Sequence, residues 1–172
     1  PRDIEAISND PPDVKFDLAR FEVIEIYDKK RKRHDEYKDR LKELQKAKTI
    51  NETLIPYESP KPISYHELST EITRALGIKS RKYGKRFCAT LDALVSIGLS
   101  NHFLDIRSEI PDYVELMDQG WRSVSFVMPP FGHVAFCECN GPKFLASISR
   151  QTKHEWKYSD DFFDLQEKKT TK

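Results

Sequence analysis

The sequence predicts an α/β fold, a mixed β-sheet flanked by helices. Three observations carry that expectation. Strand-period segments open the chain at Val14–Leu18 and Phe21–Tyr27. Helical periods follow, first across Lys29–Lys48 and again from Ser64. Short apolar runs at Leu91–Ile97, Arg122–Met128 and His133–Glu138 then alternate with further helical stretches. Strands interleaved with helices are the mark of a layered α/β architecture. With 172 residues, one domain spanning 1–172 has enough chain to bury a sizeable core.

Val14, Phe16 and Leu18 alternate with Lys15 and Asp17 at the period of a half-buried strand. Phe21–Tyr27 is rich in β-branched and aromatic residues, and Ala19–Arg20 between the two predicts a tight hairpin without the usual glycine or asparagine. Across Lys29–Lys48, Tyr37, Leu41, Leu44 and Ala47 form an apolar stripe on an otherwise charged helix. Pro56, Pro60 and Pro62 mark a loop. Ser64 and Glu67 have the spacing of a capping box, with Ile63 and Leu68 at the staple positions. Leu68, Ile72 and Leu76 continue that helix, and Gly77 suits its C-terminal cap. A second helical stretch, about Ser80–Thr90, is interrupted by Gly84. Asn101–Glu109 reads as irregular, Pro111–Gln119 as a short helix with proline in its first turn, and Pro142–Arg150 as a last helix.

The hydrophobic fraction is 38% and the charged fraction 33%, which fits a folded domain with a heavily charged surface. A net charge of +1 conceals local basic clusters. No apolar run approaches the roughly 20 residues of a membrane span, and no signal-peptide pattern opens the chain. Three cysteines without framework spacing favour free thiols and a cytoplasmic protein. The chain opens at Pro1, not methionine, which leaves room for residues upstream.

Chemistry concentrates near the N-terminus. Asp13 at the mouth of the first strand and Glu22 in the second are a natural pair for Mg²⁺ or Mn²⁺, hard ions that take oxygen ligands and keep several waters. Such an ion stabilises charge on a phosphate and lowers the pKa of an attacking water. Glu25 is a third candidate, although strand alternation puts it on the face opposite Glu22. The same residues also fit a turn at Pro11–Pro12 capped by Asp13 beside a solvated strand. Two basic clusters flank the acids: Lys29, Lys30, Arg31, Lys32 and Arg33 in one, Lys79, Arg81, Lys82, Lys85 and Arg86 in the other, with Tyr83 among them. Both suit a phosphate backbone, and both also read as solvated helix faces. His34 sits where it either contacts phosphate or packs within its helix.

The runs "DVKFDLARFEVIEIYDKKRKRHDEYKDRLKELQKAKTINETLIPY", "RKYGKRFCATLDALVSIGL" and "GWRSVSFV" resemble an uncharacterised family of short bacterial proteins labelled endonucleases. More broadly they are similar to the PD-(D/E)XK nuclease superfamily. The likeness runs from about Asp13 to Leu145, and its most specific parts are Arg31, Arg33, His34, Glu36 and Tyr37, and Gln119 to Phe126. The resemblance implies a restriction-endonuclease-like core and a metal-dependent nuclease acting on DNA or RNA. Asp13 and Glu22 match the superfamily's acidic positions, and its lysine falls at Ile24. In some members a neighbouring helix supplies that lysine, which points to Lys79 or Lys82. An acid from a first helix often completes the site, and Glu5 is the nearby candidate. Many such nucleases are homodimers; no residue pattern here requires one.

Two alternatives belong to other classes. Ser64–Leu99 can be read as a winged helix that binds DNA without cutting it, and a nuclease-like fold without its lysine can serve as a binding module for nucleic acid or protein. Zinc is not expected. His133, Cys137 and Cys139 would share one face of a strand, but an extended Cys-x-Cys spreads its sulfurs apart.

Overall fold

The computed structural model describes residues 4–6, 11–28, 35–49 and 59–154. Seven strands form one mixed sheet in the order β1-β2-β3-β5-β7-β8-β9. These are β1 (Ile4–Ala6), β2 (Val14–Phe16), β3 (Ala19–Tyr27), β5 (Asp92–Gly98), β7 (Ser123–Met128), β8 (Phe131–Cys137) and β9 (Thr152–His154). The centre is parallel, β3 to β5 to β7, and antiparallel strands extend both edges. A second, two-stranded parallel sheet pairs β4 (Lys61–Ile63) with β6 (His102–Leu104). The helices are α1 (Asp35–Lys46), α2 (Tyr65–Tyr83) and three single turns, α3 (Lys85–Cys88), α4 (Val114–Met117) and α5 (Lys143–Ala146). The expected mixed α/β class is what the chain adopts.

The main core lies between the sheet and α2. Leu68, Ile72 and Leu76 are fully buried against Ile24, Ile26, Val95, Val124 and Phe126. A smaller cluster on the other face joins Phe21 and Val134 to Leu145. The capping box forms as its spacing predicts: Glu67 N–H donates to Ser64 Oγ at 3.2 Å and Ser64 N–H to Glu67 Oε2 at 2.8 Å.

Four local expectations are corrected. Gly77 does not end α2; the helix runs on to Tyr83, because the buried series Leu68, Ile72, Leu76 continues at the same spacing to Ser80. Gly84 takes the cap instead, at φ 81°, where a side chain is disfavoured. The hairpin turn is Asp17–Leu18, since Phe16 pairs with Ala19, and Asp17 adopts the left-handed conformation (φ 55°) usually left to glycine. A register shift at Val124/Ser125 leaves Val134 opposite Ser125 and Phe136 opposite Val124. Ala135 is thus the extra residue of a bulge. It turns His133 to the α2 face beside Phe126 while Cys137 lies in the opposite cluster, so the two do not share a face. Leu41 and Leu44 of α1 are exposed, so this part of the stripe is not core.

Candidate active site

Glu22 stands where two demands conflict. Alternation along β3 gives it the face of Ile24 and Ile26, which α2 covers. A carboxylate there loses its water and needs compensating partners. They come from the end of α2, where Lys79 and Tyr83, four residues apart, lie on one side of the helix. Glu22 is 0% exposed. Its Oε1 accepts from Lys79 Nζ at 2.5 Å and from the Tyr83 hydroxyl at 2.9 Å. Its Oε2 is buried with no hydrogen-bond partner among the described residues. The Lys79 side chain is 34% exposed, so the cluster reaches from the core to solvent.

Burial opposes the Lys79 charge, but hydrogen bonds to Glu22 and Tyr83 and the Glu22 charge outweigh it, and the ammonium is held above the ordinary lysine range. At neutral pH Lys79 therefore neutralises negative charge and does not accept a proton. Burial, then the bond to Glu22, raises the Tyr83 phenol, which stays a hydrogen-bond donor. Lys82 reaches the ring of Tyr83, 5.1 Å from its centroid. Of the two lysines suggested by the superfamily resemblance, Lys79 is the one that contacts Glu22.

The other predicted residues are more dispersed. Asp13 precedes β2; its N–H donates to the Phe21 carbonyl at 2.9 Å, and its Oδ2 accepts from Val23 N–H at 2.7 Å. One of its oxygens thus holds the edge of β3. Glu25 is exposed on the opposite face, as alternation requires. Glu5 lies in an edge strand, not a helix, opposite Lys15. Arg81 is exposed on α2. Lys29, Lys30, Arg31, Arg33 and His34 lie outside the described residues. Among the described residues, no three His, Cys, Asp or Glu side chains converge on a point that would hold a metal ion.

Sequence reasoning missed Tyr83 as a partner of Glu22. The signal was Lys79-x₃-Tyr83, legible only if α2 is continued through Gly77. It also missed Asp92, which is fully buried where β5 begins. Asp92 accepts from Arg20 N–H at 2.9 Å, from Ser123 Oγ at 2.7 Å and from both Nε and Nη2 of Arg122. With these charge-assisted bonds it clamps the start of three adjacent strands. His133 is buried too, bonded at 2.9 Å to the Tyr113 hydroxyl and at 2.9 Å to Thr152 Oγ1. Burial, helped by the Arg150 charge, lowers its pKa to about 4, so it is neutral at pH 7.

These features define a mixed-sheet α/β protein with a buried glutamate clamped by a lysine and a tyrosine from the helix that covers it. A family model described as "Putative endonuclease, protein of unknown function (DUF1780)" matches residues 1–158, and the chain belongs to that family. No curated protein matches the chain. Among solved structures it is similar to a protein of unknown function from Pseudomonas aeruginosa strain PAO1, described as monooxygenase superfamily. The two are 26% identical with a TM-score of 0.66, over 89% of this chain and 70% of that one. No helix among the described residues is long and apolar enough to cross a membrane.

Proposed function

We propose that the protein is a nuclease that hydrolyses phosphodiester bonds in DNA or RNA, with Glu22 and Lys79 at the reacting centre. The observation that carries this reading is the contact between the buried Glu22 carboxylate and the Lys79 ammonium, whose side chain is one-third exposed. The family's description supplies the reaction class. In this reading the arrangement is PD-(D/E)XK-like, with the lysine delivered by α2. Ile24 is buried against that helix, and a lysine there would place an ammonium in the apolar core.

Lys79 neutralises the charge that develops on the phosphate oxygens as water adds and the ester oxygen leaves. Tyr83 and Lys79 together fix the Glu22 carboxylate, leaving Oε2 as the oxygen that is not spent. In this reading Glu22, through its buried oxygen without a hydrogen-bond partner, and Asp13 would hold a hard divalent cation. Bound Mg²⁺ or Mn²⁺ would supply Lewis-acid stabilisation and a more acidic water.

The test is cleavage of single- and double-stranded DNA and RNA with Mg²⁺, with Mn²⁺ and with chelator, by wild type, Glu22→Gln and Asp13→Ala. Metal-dependent cutting that falls at least about a hundredfold in Glu22→Gln is the expected result. No cutting, or equal cutting by all three proteins, would overturn the nuclease reading; binding without cutting would make the protein a nucleic-acid-binding module.

A further inference from the structure

From Ile72 to Leu91 the chain carries Arg74, Lys79, Arg81, Lys82, Lys85 and Arg86 and not one aspartate or glutamate. Arg74 pairs with Glu71 at 2.7 Å; the other five cluster at the end of α2 and in α3. Cations in the last turn complement the helix dipole, which accounts for Arg81 and Lys82 but not for the aromatic groups among them. Tyr83 and Phe87 meet edge to face, ring centroids 6.0 Å apart. The ammoniums of Lys79 and Lys82 stand over the Tyr83 ring at 5.6 and 5.1 Å. Phe87, in the single turn α3 that follows Gly84, is 39% exposed.

Aromatic faces amid cations are the chemistry of single-stranded nucleic-acid recognition. Unpaired bases stack on the rings and the lysines take the phosphates. A duplex hides its base faces and gains only the charge. We propose that Phe87, with Lys82 and the Tyr83 ring beside it, is a stacking platform for single-stranded nucleic acid, feeding the phosphodiester toward Lys79. This rests on the nucleic-acid reading above and narrows its substrate class. Lys79 belongs to both groups, bonded to Glu22 below and lying over Tyr83 at the surface.

The experiment is fluorescence anisotropy with a labelled oligothymidylate, its RNA counterpart and a hairpin duplex, using Glu22→Gln protein so that cleavage does not interfere. The parent should bind the single strands more tightly than the duplex. Adding Phe87→Ala should weaken single-strand binding by about fivefold to a hundredfold and leave duplex binding within twofold. Phe87→Trp should keep the single-strand preference, which separates stacking from a folding defect. Lys82→Ala should weaken both ligands and lower the salt slope by about 0.7 to 0.9. Unchanged binding in Phe87→Ala, equal loss for single strand and duplex, or no binding to any ligand overturns the platform. Discriminating binding together with a wild type that never cuts leaves the platform standing and removes only the nuclease reading.

Discussion

Glu22 and Lys79, fifty-seven residues apart in the chain, meet at 2.5 Å across the interface between β3 and α2. The pair is asymmetric: the carboxylate is fully buried, while the ammonium keeps a third of its side chain in water. Removing Lys79 strands a buried charge, whereas removing Glu22 releases a cation that can be solvated. Lys79→Met should therefore destabilise the fold by about 1–2 kcal/mol, discounted for its exposure. Glu22→Leu should cost less, and the double variant less than the sum. Denaturant unfolding of the four proteins measures the coupling; additive effects would mean that the contact contributes nothing to stability.

Asp92 makes the opposite kind of site. All its bonds go to protein groups, and its Arg122 partner is only 15% exposed. Asp92→Ala should cost about 3–5 kcal/mol because it leaves a largely buried guanidinium without its carboxylate, held only by the Leu18 carbonyl. Thermal unfolding reads this as a drop of roughly 6–20 °C. A loss under about 1 kcal/mol would contradict the clamp.

His133 ties stability to acid. Its folded pKa of about 4 lies below the ordinary 6.5, so the unfolded chain binds the proton first. Its contribution is complete above pH 6.5 and is lost as pH falls toward 4, by at most about 3 kcal/mol. His133→Gln should flatten the fall of the unfolding midpoint across that window. A slope identical to wild type would mean that His133 protonates readily in the folded protein.

Gly84 joins α2 to α3 at φ 81°, and a Cβ there would meet nothing within 4 Å. Gly84→Ala should thus cost about 1–3 kcal/mol from backbone conformation alone, since φ 81° with ψ 145° is a region left almost entirely to glycine. A stabilising substitution would show that the turn relaxes.

The fold was legible wherever a period or a cap was local. The hydrophobic stripe and capping box of α2, and the alternation along β3 that separates Glu22 from Glu25, needed only neighbouring residues. The extent of α2 was misread because Gly77 resembles a cap, and only the buried sheet beneath the helix explains why Ser80 and Tyr83 stay helical. The three-residue strands β1, β4 and β9 carry too little pattern to stand out and exist through pairing with distant partners. At the site, the acid was visible in the sequence, and its lysine only as two candidates. Choosing between Lys79 and Lys82 required the packing of α2 on β3. Asp92 was silent for the same reason, since its partners lie 30 and 72 residues away.

That choice of lysine is the most direct test of the central claim that Glu22 and Lys79 form a reacting centre. Cleavage of a single-stranded substrate by wild type, Lys79→Met and Lys82→Met would be resolved into kcat and KM. Lys79→Met should lower kcat by at least about a hundredfold, while Lys82→Met should raise KM and leave kcat within a few fold. Equal kcat for Lys79→Met and wild type, or a loss of kcat confined to Lys82→Met, would contradict it.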